Sequence, residues 1–139
     1  MRRIHLLGSG IAGAMIGLAT LAYGNDFAKP NLTLRQEVEA MPTGQRQEVR
    51  VLTATFKPGD RTVTHTHRFP VTVYVLEGAF TLELEGRAPI VVKAGEALVE
   101  PPLVKMTGYN RSASEPTRVV IFYVSEIGTP FLDPAHPHQ

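Results

Sequence analysis

His65 and His67 stand two residues apart in the stretch Thr62-Val-Thr-His-Thr-His-Arg68. In an extended chain, residues i and i+2 project to the same face, so both imidazoles can reach one ion. Neutral imidazole is the commonest metal ligand and suits Zn, Cu, Fe and Ni. The chain contains no cysteine, which excludes disulfides, thiolate metal sites and a cysteine nucleophile. Any further metal donor must be His, a carboxylate or Met. His136 and His138 make a second pair, read as solvated because ordering a Pro-rich chain end costs entropy. Tyr74, Tyr109 and Tyr123 read as packing residues with wet hydroxyls, any one of which can line a pocket.

For the histidine pair to share a face it must sit on a strand, and the surrounding sequence supplies strands. Short segments rich in Val, Thr, Phe and Tyr recur between turn residues, the pattern of an antiparallel sandwich or barrel. The spacing predicts strands over 48–56, 62–68, 71–76, 79–84, 89–92, 97–100, 105–110 and 118–124. Breakers such as Lys57-Pro-Gly-Asp60, Glu77-Gly78, Glu85-Gly-Arg87, Ala94-Gly-Glu96 and Pro101-Pro102 fall between them. That density leaves no room for helices. Phe80, Leu82 and Leu84 alternate with Thr81, Glu83 and Glu85, giving one buried and one wet face. The stretch 32–41 alternates weakly and reads as an edge strand or a short helix; the Pro-rich end 130–139 reads as irregular and frayed.

The 139 residues hold one domain at most. Apolar residues make up 43% and charged residues 19%, a balance that forms a core rather than a disordered chain. Met1-Arg-Arg3, the apolar run from Ile11 to Ala22 and the small-x-small Ala22-Tyr-Gly24 read as a secretory signal peptide. The competing reading is a retained membrane anchor, for which the apolar run is short. Cleavage after Gly24 removes two arginines and takes the net charge from +1 to −1. The boundaries expected are a signal at 1–24, an N-terminal arm or edge strand at 25–46, a barrel at 47–126 and a tail at 127–139. Without a basic footprint, nucleic acid is excluded as a partner, and after cleavage so is the membrane. Asn31-Leu-Thr33 and Asn110-Arg-Ser112 fit the N-glycosylation pattern, a match short enough to arise by chance.

The run Gly59-Asp-Arg-Thr-Val-Thr-His65-Thr-His67, followed by Tyr74-Val-Leu-Glu-Gly78, resembles the first motif of small single-domain cupins. Lys93-Ala-Gly-Glu-Ala-Leu-Val-Glu100-Pro-Pro102, running on to Asn110, resembles the second. The resemblance implies an all-β fold, the small cupin β-barrel of jelly-roll type, with one metal inside. It implies His65 and His67 as ligands. The motif's glutamate position holds Val71, and its later histidine falls at Met106, with Asn110 matching the motif's Asn and Leu103 replacing a Gly. Met106 is then either a core filler or a soft thioether beside two imidazoles, a set suited to Cu(I). Glu100 either closes the site as ligand or base, or stays solvated at a turn.

Function therefore divides three ways: an exported barrel, periplasmic or secreted, that binds a metal ion or small-molecule ligand; a metal-dependent oxygenase or isomerase; or a metal-free ligand-binding barrel. The cofactor expected is a divalent metal or Cu(I). Val71, Val73 and Val75 give an apolar lining without an evident acid and base, which favours binding. The resemblance also implies a homodimer, with Leu32, Leu34 and Val38 as edge residues.

Overall fold

Alternation along the chain gives each long strand an inward and an outward face. A computed structural model describes residues 28–135, and from Asn31 on the chain forms one unit. Nine strands follow in order: β1 (Gln47–Phe56), β2 (His65–Thr66), β3 (Val71–Glu77), β4 (Ala79–Leu84), β5 (Ile90–Lys93), β6 (Ala97–Glu100), β7 (Met106–Tyr109), β8 (Thr117–Glu126) and β9 (Asp133–Pro134). No helix occurs among the described residues. The strands form a four-stranded sheet, β1-β8-β3-β6, and a five-stranded sheet, β5-β4-β7-β2-β9. Every pairing is antiparallel, and β1 and β8 match along their whole length from Gln47↔Glu126 to Phe56↔Thr117.

The core lies between the sheets. Val71, Val73 and Val75 of β3 meet Phe80, Leu82 and Leu84 of β4, with Val92, Leu98, Met106, Val119 and Tyr123 completing it. The Glu77-Gly78 turn joins β3 to β4, and Gly78 at φ +71° takes the left-handed conformation that favours glycine. On β7, a Cβ at Gly108 would stand 2.5 Å from Phe80 Cζ, so glycine there lets the Phe80 ring lie on the strand. Asn110 is buried and ties three segments together: Nδ2 donates to the carbonyls of Phe56, Lys57 and Glu115, and Oδ1 accepts from the Ser112 amide. Both side-chain atoms of Asn110 are thus committed within the folded barrel.

Three expectations are corrected. The stretch 32–41 is neither strand nor helix; Leu34, Val38 and Met41 instead line a groove of about 300 Å³ with Thr72, Val99, Phe122 and Val124 on the outer face of the first sheet. An arm lying across a sheet face has no neighbouring strand to pair with, so its alternation does not become a ladder. The tail is not frayed up to Ala135, because β9 pairs with β2 through His65↔Pro134 and Thr66↔Asp133. Thr81, expected on the wet face of β4, is buried, since β4 is flanked on both sides by β5 and β7. The signal at 1–24 and the pair His136 and His138 lie outside the described residues.

Candidate metal and ligand site

β2 is short but doubly held. His65 pairs with Met106 of β7 on one side and with Pro134 of β9 on the other. His65 and His67 are both buried and their rings meet edge to face, with centroids 4.7 Å apart. His65 Nδ1 lies 2.7 Å from the Val63 carbonyl oxygen, and His67 Nδ1 lies 2.6 Å from that of Phe131. A carbonyl only accepts, so both Nδ1 atoms carry the proton and both Nε2 atoms are left as lone pairs in the neutral rings. Those two Nε2 atoms face each other at 3.1 Å. Glu100 Oε2 stands 3.2 Å from His67 Nε2. Three acceptors thus converge, the kind of cluster that a shared proton, a donating water or a metal ion relieves.

Glu100 is 5% exposed, so the solvated turn-capping role is corrected. It ends β6 directly opposite Val71 of β3. Directly opposite residues share a face, so the carboxylate that the motif would place at Val71 enters the barrel from the neighbouring strand. Glu100 pairs with His67 and not with His65, and among the described residues no group of three or more His, Cys, Asp or Glu forms a ready metal cage. Two donors are therefore in place and the third is adjacent. Burial lowers the His65 pKa below its ordinary value, the Val63 carbonyl opposing this, and the neighbouring His67 adding to it.

Met106 faces the same side of the ladder as His65 and Leu84, its partners across β2 and β4. It is buried within the apolar core and does not line the cavity beside the histidines. That cavity is about 50 Å³ and is lined by His65, His67, Glu100, Phe80, Phe131 and Leu132, among others. The space suits an ion with one or two waters, far below the 300 Å³ or more of ordinary organic-ligand pockets.

The part that sequence reasoning missed is the strap 129–135. Its Phe131 carbonyl sets the His67 tautomer, and the Phe131 ring packs on His67 and Tyr123 at centroid distances of 5.0 and 5.6 Å. Asp133 holds Arg68 through two bonds of 2.8 and 3.0 Å, Arg50 Nη2 donates to the Thr129 carbonyl at 2.9 Å, and the Ala135 amide donates to Thr64 at 2.8 Å. The one sequence signal was Phe131-Leu132, an apolar pair inside an otherwise polar and Pro-rich end.

A family model described as a cupin domain matches residues 52–123, and the chain belongs to the cupin family. No curated protein matches the sequence. Among solved structures it is similar to a cupin-like protein from Thermotoga maritima, with 20% identity and a TM-score of 0.55 over 63% of this chain and 64% of that one. An RmlC-like cupin with a double-stranded β-helix fold from Methanocaldococcus jannaschii matches at 21% identity and TM-score 0.51, over 76% of this chain and 88% of that one. The DMSP lyase DddQ from Ruegeria pomeroyi matches at 14% identity and TM-score 0.56, over 66% of this chain and 45% of that one. At these identities the likeness is one of fold. No helix among the described residues is long and apolar enough to cross a membrane.

Proposed function

We propose that this protein is an exported cupin that holds one metal ion between His65 and His67, with Glu100 as third donor, and binds a small ligand at the positions the protein leaves open. The observation that carries the reading is the pair of facing Nε2 atoms, each with its Nδ1 proton committed to a carbonyl. Their 3.1 Å separation is less than twice a typical metal–imidazole bond of about 2.1 Å, so one ion can touch both. Two imidazoles and a carboxylate suit borderline divalent ions. A metal bound there acts as a Lewis acid toward the ligand, while Phe131, Leu132 and Phe80 keep bulk water out.

Export rests on the sequence of residues 1–24 and places the mature chain in the periplasm or outside the cell. The outward face of the first sheet leaves Val49, Val51 and Phe122 exposed, and a homodimer covering that face fits the reading.

Cobalt(II) titration of the mature protein, followed by its visible absorption, tests the site. One ion per chain is expected, with His65→Ala or His67→Ala weakening it by about a hundredfold or more. Binding that survives both substitutions would move the site elsewhere, to His136 and His138 first. Met106 gives the alternative occupant its own arm: selective loss of Cu(I) affinity in Met106→Leu would assign the thioether as a ligand.

A further inference from the structure

Two side-chain polar atoms among the described residues are buried without a hydrogen-bond partner, Arg50 Nε and Tyr123 Oη. They belong to residues directly opposite each other in the β1–β8 ladder, and the Arg50 guanidinium carbon lies 4.8 Å from the centre of the Tyr123 ring. Arg50 Nη2 is satisfied by Ser125 Oγ at 3.0 Å and the Thr129 carbonyl at 2.9 Å. Nε has only the Glu48 carboxylate at 3.5 Å, beyond good hydrogen-bond length. Tyr123 has no solvent exposure. Facing its oxygen are the backbone amides of Phe69 and Arg68, the Arg50 charge and, with opposite sign, Asp133. A phenol keeps its proton at neutral pH and can donate.

The nook therefore holds two donors that make no hydrogen bond, Nε having only the Glu48 carboxylate at 3.5 Å. A buried donor left unpaired is costly, and two on facing residues call for one acceptor group that serves both. A single guanidinium, partly offset by Glu48 and walled by the rings of Tyr123 and Phe131, suits a planar monoanion better than a phosphate. We propose that Arg50 Nε and Tyr123 Oη receive the carboxylate of a small organic acid, whose remainder displaces the Phe131 ring and extends toward His67. The ring centroids of Tyr123 and His67 are 6.0 Å apart, and Phe131 packs on both, so the path runs beneath the strap. This names the ligand class of the proposed barrel site and rests on that reading, but it needs no ion.

The test uses the metal-free mature chain and two matched pairs of probes, acetate with acetamide and benzoate with benzamide, by calorimetry. Each acid should bind about tenfold or more tighter than its amide, and Arg50→Lys and Tyr123→Phe should each weaken the acid by about tenfold or more. Tyr123→Phe should keep or raise the melting temperature, because the lost hydroxyl had no partner. Equal binding of acid and amide, or no binding of either, would overturn the proposal. So would a Tyr123→Phe variant that melts lower and binds acid as wild type does, which would make the nook the seat of an ordered water only. Parallel cobalt(II) titration separates the failures: cobalt bound without acid overturns the nook alone, and neither bound overturns the barrel reading with it.

Discussion

At the scale of single residues, chemistry is decided by what each polar atom has left to do. Glu100 shows this: nothing in Glu-Pro-Pro distinguishes a turn cap from a buried carboxylate, because the distinction depends on the β3–β6 register that sets it opposite Val71. The histidine spacing was legible because strand geometry alone puts i and i+2 on one face; the His67 tautomer was not, since Phe131, which sets it, is remote in sequence. Leu103 carries the next prediction. It sits where the motif has a glycine, at φ +60° and 74% exposed, and its amide donates to the His67 carbonyl at 2.8 Å. A left-handed conformation costs a non-glycine residue about 1–2 kcal/mol, while glycine loses about 0.5–1 kcal/mol in added chain entropy. Leu103→Gly should therefore stabilise the protein by roughly 0.5–1 kcal/mol in denaturant unfolding, with metal affinity unchanged.

At the scale of elements, the strap is the thinnest part of the barrel wall. β9 adds two residues to a two-residue β2, and the Arg68–Asp133 pair that pins it lies at the surface. Composition suggested fraying here; what composition cannot show is that Phe131 and Leu132 have a cavity to fill and that β2 has an open edge to pair. Arg68's hydrogen bonds hold the Asp133 carboxyl below its ordinary value of 3.8. A carboxylate with a depressed folded pKa contributes fully above its unfolded value, and that contribution is lost as pH falls through the folded one. The hydrogen-exchange protection of the Ala135 amide should then be constant from neutral pH down to the ordinary aspartate range and fall only in stronger acid. Asp133→Asn should show the lower protection already at neutral pH, with β3 and β8 amides unaffected. Protection that declines between pH 7 and 5 would assign the latch to another group.

At the scale of the whole molecule, the barrel was legible and its closure was not. Eight of the nine strands, all but β9, follow from alternation and turn residues, because a strand with one wet face writes its period into the sequence. β2 is shorter than expected, since Thr62, Thr64 and His67 keep only single backbone hydrogen bonds, to Gly108, Ala135 and Leu103, and form no continuous ladder. Core and site are also separable. Val71, Val73, Val75, Phe80, Leu82 and Val119 pack irrespective of the histidines, and apolar burial of that kind does not depend on an ion. Chelation should leave the far-ultraviolet spectrum of the mature protein unchanged, and any fall in melting temperature should be no larger than the binding linkage to the lost ion. Collapse of the spectrum on chelation would make the metal structural.

The central claim is that His65 and His67 both keep their protons on Nδ1 and turn two Nε2 lone pairs toward one cation. Long-range proton–nitrogen correlation of the imidazole rings in uniformly nitrogen-15-labelled mature protein reads this directly. The account predicts Nδ1–H tautomers for both residues in the metal-free protein near neutral pH, apart from any proton shared between the Nε2 atoms, and joint movement of both Nε2 resonances at one equivalent of Zn(II). An Nε2–H tautomer on either ring with Nδ1 unprotonated, or Nε2 resonances that stay in place when the ion binds, would contradict it.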